Sequence, residues 1–233
     1  MISPAARDAR MFWADLRARW ISSFHAWGRL KAEANAVESA LAFAASLVNA
    51  SAVTDLAPGF LVAVPQLGDP NFQRALIMLI EHSESGAIGL VVNRLASVHL
   101  GEVAKSQKLP FRPEMIGAPV FVGGPVQSER GFVLHARPDV VESVEVGDGL
   151  FVSSSMESLR QLMDGPVGSF RLCLGYAGWD AGQLEKELQE GAWITAPLTR
   201  KHVLQTPAKQ SWDAVLRDMG IDPAMLLHGG GLH

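Results

Sequence analysis

Residues 170–193 constrain the fold more than any other part of the chain: Phe-Arg-Leu-Cys-Leu-Gly-Tyr-Ala-Gly-Trp-Asp-Ala-Gly-Gln-Leu-Glu-Lys-Glu-Leu-Gln-Glu-Gly-Ala-Trp. The apolar run 170–174 predicts a buried strand. Gly175, Gly178 and Gly182 predict a tight turn, and the helix formers that follow predict a helix with Asp180 as N-cap and Gln183 as its reciprocal partner. Strand, glycine-rich turn and helix in succession require α and β elements packed on one another, and such a turn commonly holds a ligand. The phosphate-loop and dinucleotide patterns are both absent from it. Asp180 and the glutamates nearby would also repel a phosphate. A turn that only lets Tyr176 and Trp179 pack is the alternative.

The remaining segments supply the sheet. Residues 60–64 read as a strand ended by Pro65, and 66–70 as a turn around Gly68, Asp69 and Pro70. Apolar runs at 75–80 and 87–92 flank a polar loop, which predicts a hairpin with Asn93 and Arg94 at its end. Residues 98–109 have a helical pattern, broken by Pro110 and Pro113. Short strands are expected at 120–122 and 131–135, separated by a Gly123-Gly124-Pro125 corner where backbone can come very close to a neighbour. Alternation on both sides of Gly147-Asp148-Gly149 predicts a second hairpin. Ser155 is placed to cap a helix over 156–163, and a further helix is expected over 211–219.

Residues 1–55 differ from the rest and predict a helical, amphipathic extension ahead of an α+β domain over 56–233. Phe12, Leu16, Trp20, Phe24, Trp27 and Leu30 share one helical face, and six Arg or Lys within residues 1–31 oppose Asp8 and Asp15. This face would pack on its own domain, self-associate, enter a partner's groove or lie against a membrane surface. Acidic residues throughout the stretch argue against a secretion signal, and no apolar run is long enough to span a bilayer.

The chain has 233 residues and a net charge of −4, which argues against direct nucleic-acid binding. Its single cysteine, Cys173, excludes an internal disulfide and favours a cytoplasmic setting. The histidines lack the spacing of a zinc site, so no metal or cofactor is expected. A Gly-x-Ser-x-Gly elbow is absent.

Several blocks taken in order resemble the AlgH/YqgE family of bacterial proteins: residues 60–74, Glu81-His82, 86–94, 122–126, 130–135 and 175–185. The resemblance runs from about residue 58 to 227. It implies an α+β domain with a mixed, largely antiparallel sheet folded into a partly closed barrel with flanking helices. It also implies a cytosolic protein of a family often labelled transcriptional regulators, with no agreed enzymatic activity.

Two functions follow as expectations. The first is a non-enzymatic regulatory or adaptor protein that acts indirectly, through an unidentified protein partner. The second is a small-molecule binder or enzyme with a polar cleft near the Gly-Tyr-Ala-Gly-Trp turn. Its candidate binding surface comprises Asp69, Asn93, Arg94, Gly123, Gly124, Tyr176, Trp179, Gln183 and Glu185. Arg94 would hold an anion, and Glu185 would act as a base if desolvation raised its pKa.

Overall fold

The structure is a computed structural model that describes residues 56–227; the expected helical extension over 1–55 and the glycine-rich tail 228–233 lie outside the described residues. Ten strands carry the domain: β1 (Gly59–Ala63), β2 (Leu76–Ser83), β3 (Gly86–Val91), β4 (Leu95–His99), β5 (Pro119–Val122), β6 (Val126–His135), β7 (Val144–Gly147), β8 (Leu150–Ser153), β9 (Phe170–Trp179) and β10 (Trp193–Pro197). The helices are α1 (Leu100–Ser106), α2 (Met156–Met163), α3 (Gln183–Gln189), α4 (Ala208–Asp218) and α5 (Pro223–Leu227). A π turn, Lys201–Gln205, leads into α4.

The sheet runs in the order β10-β1-β2-β3-β9-β6-β8-β7, with β4 paired to β5 and β5 parallel to β9. Its two ends approach each other. Asp148 in the β7–β8 turn accepts a hydrogen bond from Arg200 N just after β10, at 2.6 Å. Gly147 leaves room for Pro58 beside β1, since a Cβ there would lie 3.0 Å from the Pro58 ring. The result is a largely antiparallel α+β domain whose curled sheet forms a partly closed barrel, as the family resemblance implies.

Strand β9 departs from the expectation for residues 170–193. The strand does not stop at Leu174 but continues to Trp179, with Gly175 and Gly178 inside it. One edge of β9 pairs with β6; along the other, β5 covers its first half and β3 its second. Gly175 is required because a Cβ there would sit 2.4 Å from Gly124 O, and its φ is +73°. The turn falls later, and α3 starts from Gly182 rather than Asp180, although Gln183 Oε1 still accepts Asp180 N at 3.1 Å.

Other boundaries also move. Residues 95–99 form β4 before α1 begins, and β6 starts at Val126. The polar residues Glu81, His82 and Ser83 belong to β2, leaving only Glu84 and Ser85 in the hairpin turn. Ser155 caps α2 as its position predicts, accepting Glu157 N and Ser158 N. Buried side chains gather in two clusters among the described residues. In one, Leu100, Val120, Leu159, Leu162 and Leu172 join α1 and α2 to the sheet. In the other, Leu61, Ile77, Leu79, Trp179, Leu184 and Trp193 join α3 to it.

Candidate functional site

The first group of candidate residues surrounds α3. Its i, i+4 spacing sets Gln183 and Glu187 on one face, toward the end of β9. Glu187 Oε2 accepts the indole N–H of Trp179 at 2.9 Å and that of Trp193 at 2.8 Å. Gln183 Nε2 donates to Glu187 Oε1 at 2.9 Å. The two indoles meet edge to face with centroids 6.0 Å apart, and Phe72 stacks on Trp179 at 6.5 Å. Three donors therefore converge on one carboxylate, which keeps two indole N–H groups satisfied as their rings are buried.

Glu185, on the same helix, bonds His82 Nε2 through Oε1 at 2.8 Å. A hydrogen bond from its own backbone N–H, together with His82, holds its carboxyl below the ordinary range despite some desolvation. This is opposite in direction to the raised pKa expected of a general base, because the groups around Glu185 favour its charged form.

Gly123, Gly124 and Tyr176 form a seam in which two chain segments touch. Gly123 N donates to Leu174 O at 2.7 Å, and Gly123 O accepts Val91 N at 2.8 Å. A Cβ on Gly124 would lie 2.1 Å from the Tyr176 carbonyl carbon. The Tyr176 ring is buried against Phe132 at 6.2 Å, and burial raises the pKa of its phenol.

Asp69, Asn93 and Arg94 lie in a third place. Asp69 Oδ1 accepts Asn71 N at 2.8 Å and shapes the loop before β2. Asn93 accepts Leu76 N through Oδ1 and donates to Arg74 O through Nδ2, both at 2.9 Å, which fixes the entry to β2. Arg94 donates to Pro70 O at 2.9 Å and Gln73 O at 3.4 Å.

Beside them opens a groove of about 370 Å³. Gln73 and Arg74 before β2 form one wall, Asn93, Arg94 and Leu95 after β3 a second, and Ala208, Lys209 and Trp212 of α4 the third. Three lining side chains are cationic and none is acidic. Arg74 pairs with Asp213 just outside, at 2.7 Å, and lies 4.7 Å over the Trp212 ring. The Trp212 indole N–H donates to Ala63 O at 2.9 Å and anchors α4 to β1. Buried Arg171 joins the walls: it donates to Val92 O, one residue before Asn93, at 2.6 Å, and to Thr206 O, just ahead of α4, at 2.7 Å.

The nine candidate residues thus fall into three places. Asn93 and Arg94 share the groove, and Asp69 shapes the loop that Arg94 ties down. Gly123, Gly124 and Tyr176 share the seam. Trp179, Gln183 and Glu185 lie on the α3 side. Sequence reasoning passed over Glu187, Arg74, Lys209 and Trp212. The Gln183–Glu187 spacing was a usable signal for the first; the groove residues come from distant segments and carried none.

Neither of the two nucleophile-like side chains, Ser143 and Cys173, is activated. His135 Nε2 lies 2.9 Å from Ser143 Oγ, an arrangement that superficially suits a serine nucleophile. However, His135 Nδ1 accepts Arg137 N at 3.3 Å, so the neutral ring carries its proton on Nε2 and donates to Ser143. Burial lowers the His135 pKa to about 4, which keeps it neutral. It is therefore in the wrong tautomer to take a proton from Ser143. The Cys173 thiol is fully buried, and burial raises its pKa to about 12, so almost no thiolate forms at neutral pH. No group of three His, Cys, Asp or Glu side chains suited to a metal ion occurs among the described residues. No helix among them is long and apolar enough to cross a membrane.

A family model described as AlgH-like matches residues 60–224. A UPF0301 protein of Myxococcus xanthus is 46% identical over 179 residues, covering 77% of this chain and 99% of the relative. A UPF0301 protein of Alcanivorax borkumensis is 41% identical over 175 residues, covering 73% of this chain and 93% of the relative. Among solved structures, the solution structure of the AlgH protein from Pseudomonas aeruginosa superposes with a TM-score of 0.63 at 36% identity. That match covers 79% of this chain and 99% of that one. A crystal structure of a Corynebacterium diphtheriae protein shares the fold at 23% identity, with a TM-score of 0.60, over 80% of this chain and 98% of that one.

Proposed function

The chain belongs to the AlgH-like family, and from that premise we propose that it is a non-enzymatic cytosolic regulatory or adaptor protein. It acts indirectly, by contact with a protein partner. One observation carries the reading: the reactive-looking side chains of the described domain are satisfied internally. Glu187 holds two indoles, Glu185 holds His82, and His135 donates to Ser143 rather than accepting from it. Recognition then falls to surface features of the described domain, and the basic groove is one of them.

The test is affinity capture from the native host's cytosol, with the full chain as bait and an Arg74→Glu, Lys209→Glu double variant beside it. A partner retained in a fixed ratio by the parent and lost by the folded variant is the expected result. Absence of any stoichiometric partner across several growth conditions, or substrate turnover by the purified chain, would overturn it.

A further inference from the structure

We propose that the groove between β2, β3 and α4 is a binding site for the phosphate group of a small phosphorylated molecule. This inference rests on the reading of the groove as a recognition surface and names a small ligand for it; phosphate titration reads that ligand, whereas the capture experiment reads a protein partner. The starting point is a local reversal of charge. The chain as a whole carries −4, yet Arg74, Arg94 and Lys209 converge from three separate segments on a groove without an acidic lining residue. Asp213 neutralises part of Arg74, leaving the Arg94 and Lys209 charges unmatched by any carboxylate among the described residues.

The two guanidinium groups are fixed in advance. Arg94 is held by Pro70 O and Gln73 O; Arg74 is held by Asp213 and lies over the Trp212 ring. Ordering a side chain on binding costs free energy, so charges already in place favour a small anion. Lys209 has no hydrogen-bond or ion-pair partner among the described residues and is exposed. It remains available as a mobile point charge.

Three further features act in the same direction. Helix α4 is eleven residues long, begins at the groove wall, and has no side-chain cap on its first turn. Its positive end therefore adds to the field of the three cations. Arg171, only 6% exposed, ties Val92 to Thr206, so the walls keep their spacing. Leu95 is 46% exposed at the rim and offers an apolar contact to the rest of a ligand.

The size selects the ligand class. A groove of about 370 Å³ is at the small-molecule end of binding-site volumes. A nucleic-acid duplex would need a basic surface of roughly 600 Å² or more.

Isothermal titration of the full chain with inorganic phosphate and with phenyl phosphate, at constant ionic strength and with chloride as control, tests the proposal. Saturable binding of one equivalent is expected. Tighter binding of phenyl phosphate would identify an ester as the source, and equal binding would identify free phosphate; both results support the shared site. Lys209→Gln should weaken binding by about tenfold, the factor carried by about 1.4 kcal/mol, and Lys209→Arg should restore most of it. Lys209 supports no part of the fold, so an unchanged unfolding midpoint separates lost binding from lost structure. Non-saturable heats equal to those of chloride, or undiminished binding by Lys209→Gln, would overturn the site. So would a random-sequence duplex that binds more tightly than either phosphate and displaces both.

Discussion

The α3 side and the groove use the same kinds of residue to opposite ends. Around α3, donors and acceptors are matched within the protein: one carboxylate takes two indoles and an amide, and the next takes a buried histidine. At the groove, Arg94 and the neighbouring Arg171 donate to backbone carbonyls, which fixes them without cancelling their charge, and only Arg74 is partly matched, by Asp213. A polar residue at a strand end is therefore informative only through its unused capacity. By that measure the stretch that looks richest in the sequence, 175–185, is largely structural in its side chains, whereas the plainer Arg94 and Lys209 face outward.

Substitutions at satisfied positions should cost stability, and those at unsatisfied ones should not. The largest effect is expected at the glycine seam. Gly175→Ala introduces a Cβ 2.4 Å from Gly124 O at a φ of +73°, and should destabilise by about 3 kcal/mol or more in denaturant unfolding. A near-neutral result would mean that the seam yields easily.

Glu187→Ala comes next. It removes the acceptor for two indole N–H groups and should cost about 3 kcal/mol, with a changed tryptophan fluorescence spectrum. Glu187→Gln retains an acceptor and should cost less. Equal losses for the two would indicate that charge, rather than hydrogen-bond satisfaction, matters there.

His135 gives a comparable effect that depends on pH. Its folded pKa of about 4 lies below the ordinary 6.5, so the unfolded chain binds the extra proton between those values. Stability is therefore full above pH 6.5 and falls as pH drops toward 4, by about 3 kcal/mol from this group. Chemical unfolding across that window should show a shallower slope for His135→Gln than for the parent. Parallel slopes would remove His135 from the set of satisfied groups.

The smallest change is expected at the groove, where Lys209→Gln should leave stability within about 0.5 kcal/mol. A clear loss would place Lys209 among the structural residues and blur the contrast.

How far the sequence carried depended on the range of the interactions. Continuous apolar runs marked β1 to β3, the Gly147–Gly149 turn marked the β7–β8 hairpin, and Ser155 marked the start of α2, because each is a local signal. The continuation of β9 through Gly175 and Gly178 was hidden, since those glycines answer to Gly124 and to the Tyr176 ring, facts of pairing rather than of local propensity. The AlgH-like resemblance held because it rested on several blocks in order. The distribution of the candidate residues over three places was not legible: it depends on pairing between segments far apart in sequence, and only folding brings Arg94 near Lys209.

The indole N–H signals offer the most direct comparison of the two regions in one sample. Titrating the isotope-labelled full chain with inorganic phosphate should shift the Trp212 signal, beneath the groove, in a saturable manner and leave those of Trp179 and Trp193 unmoved. Saturable shifts at the Trp179–Trp193 pair with Trp212 unchanged would contradict the account and return the site to the glycine-rich strand and α3.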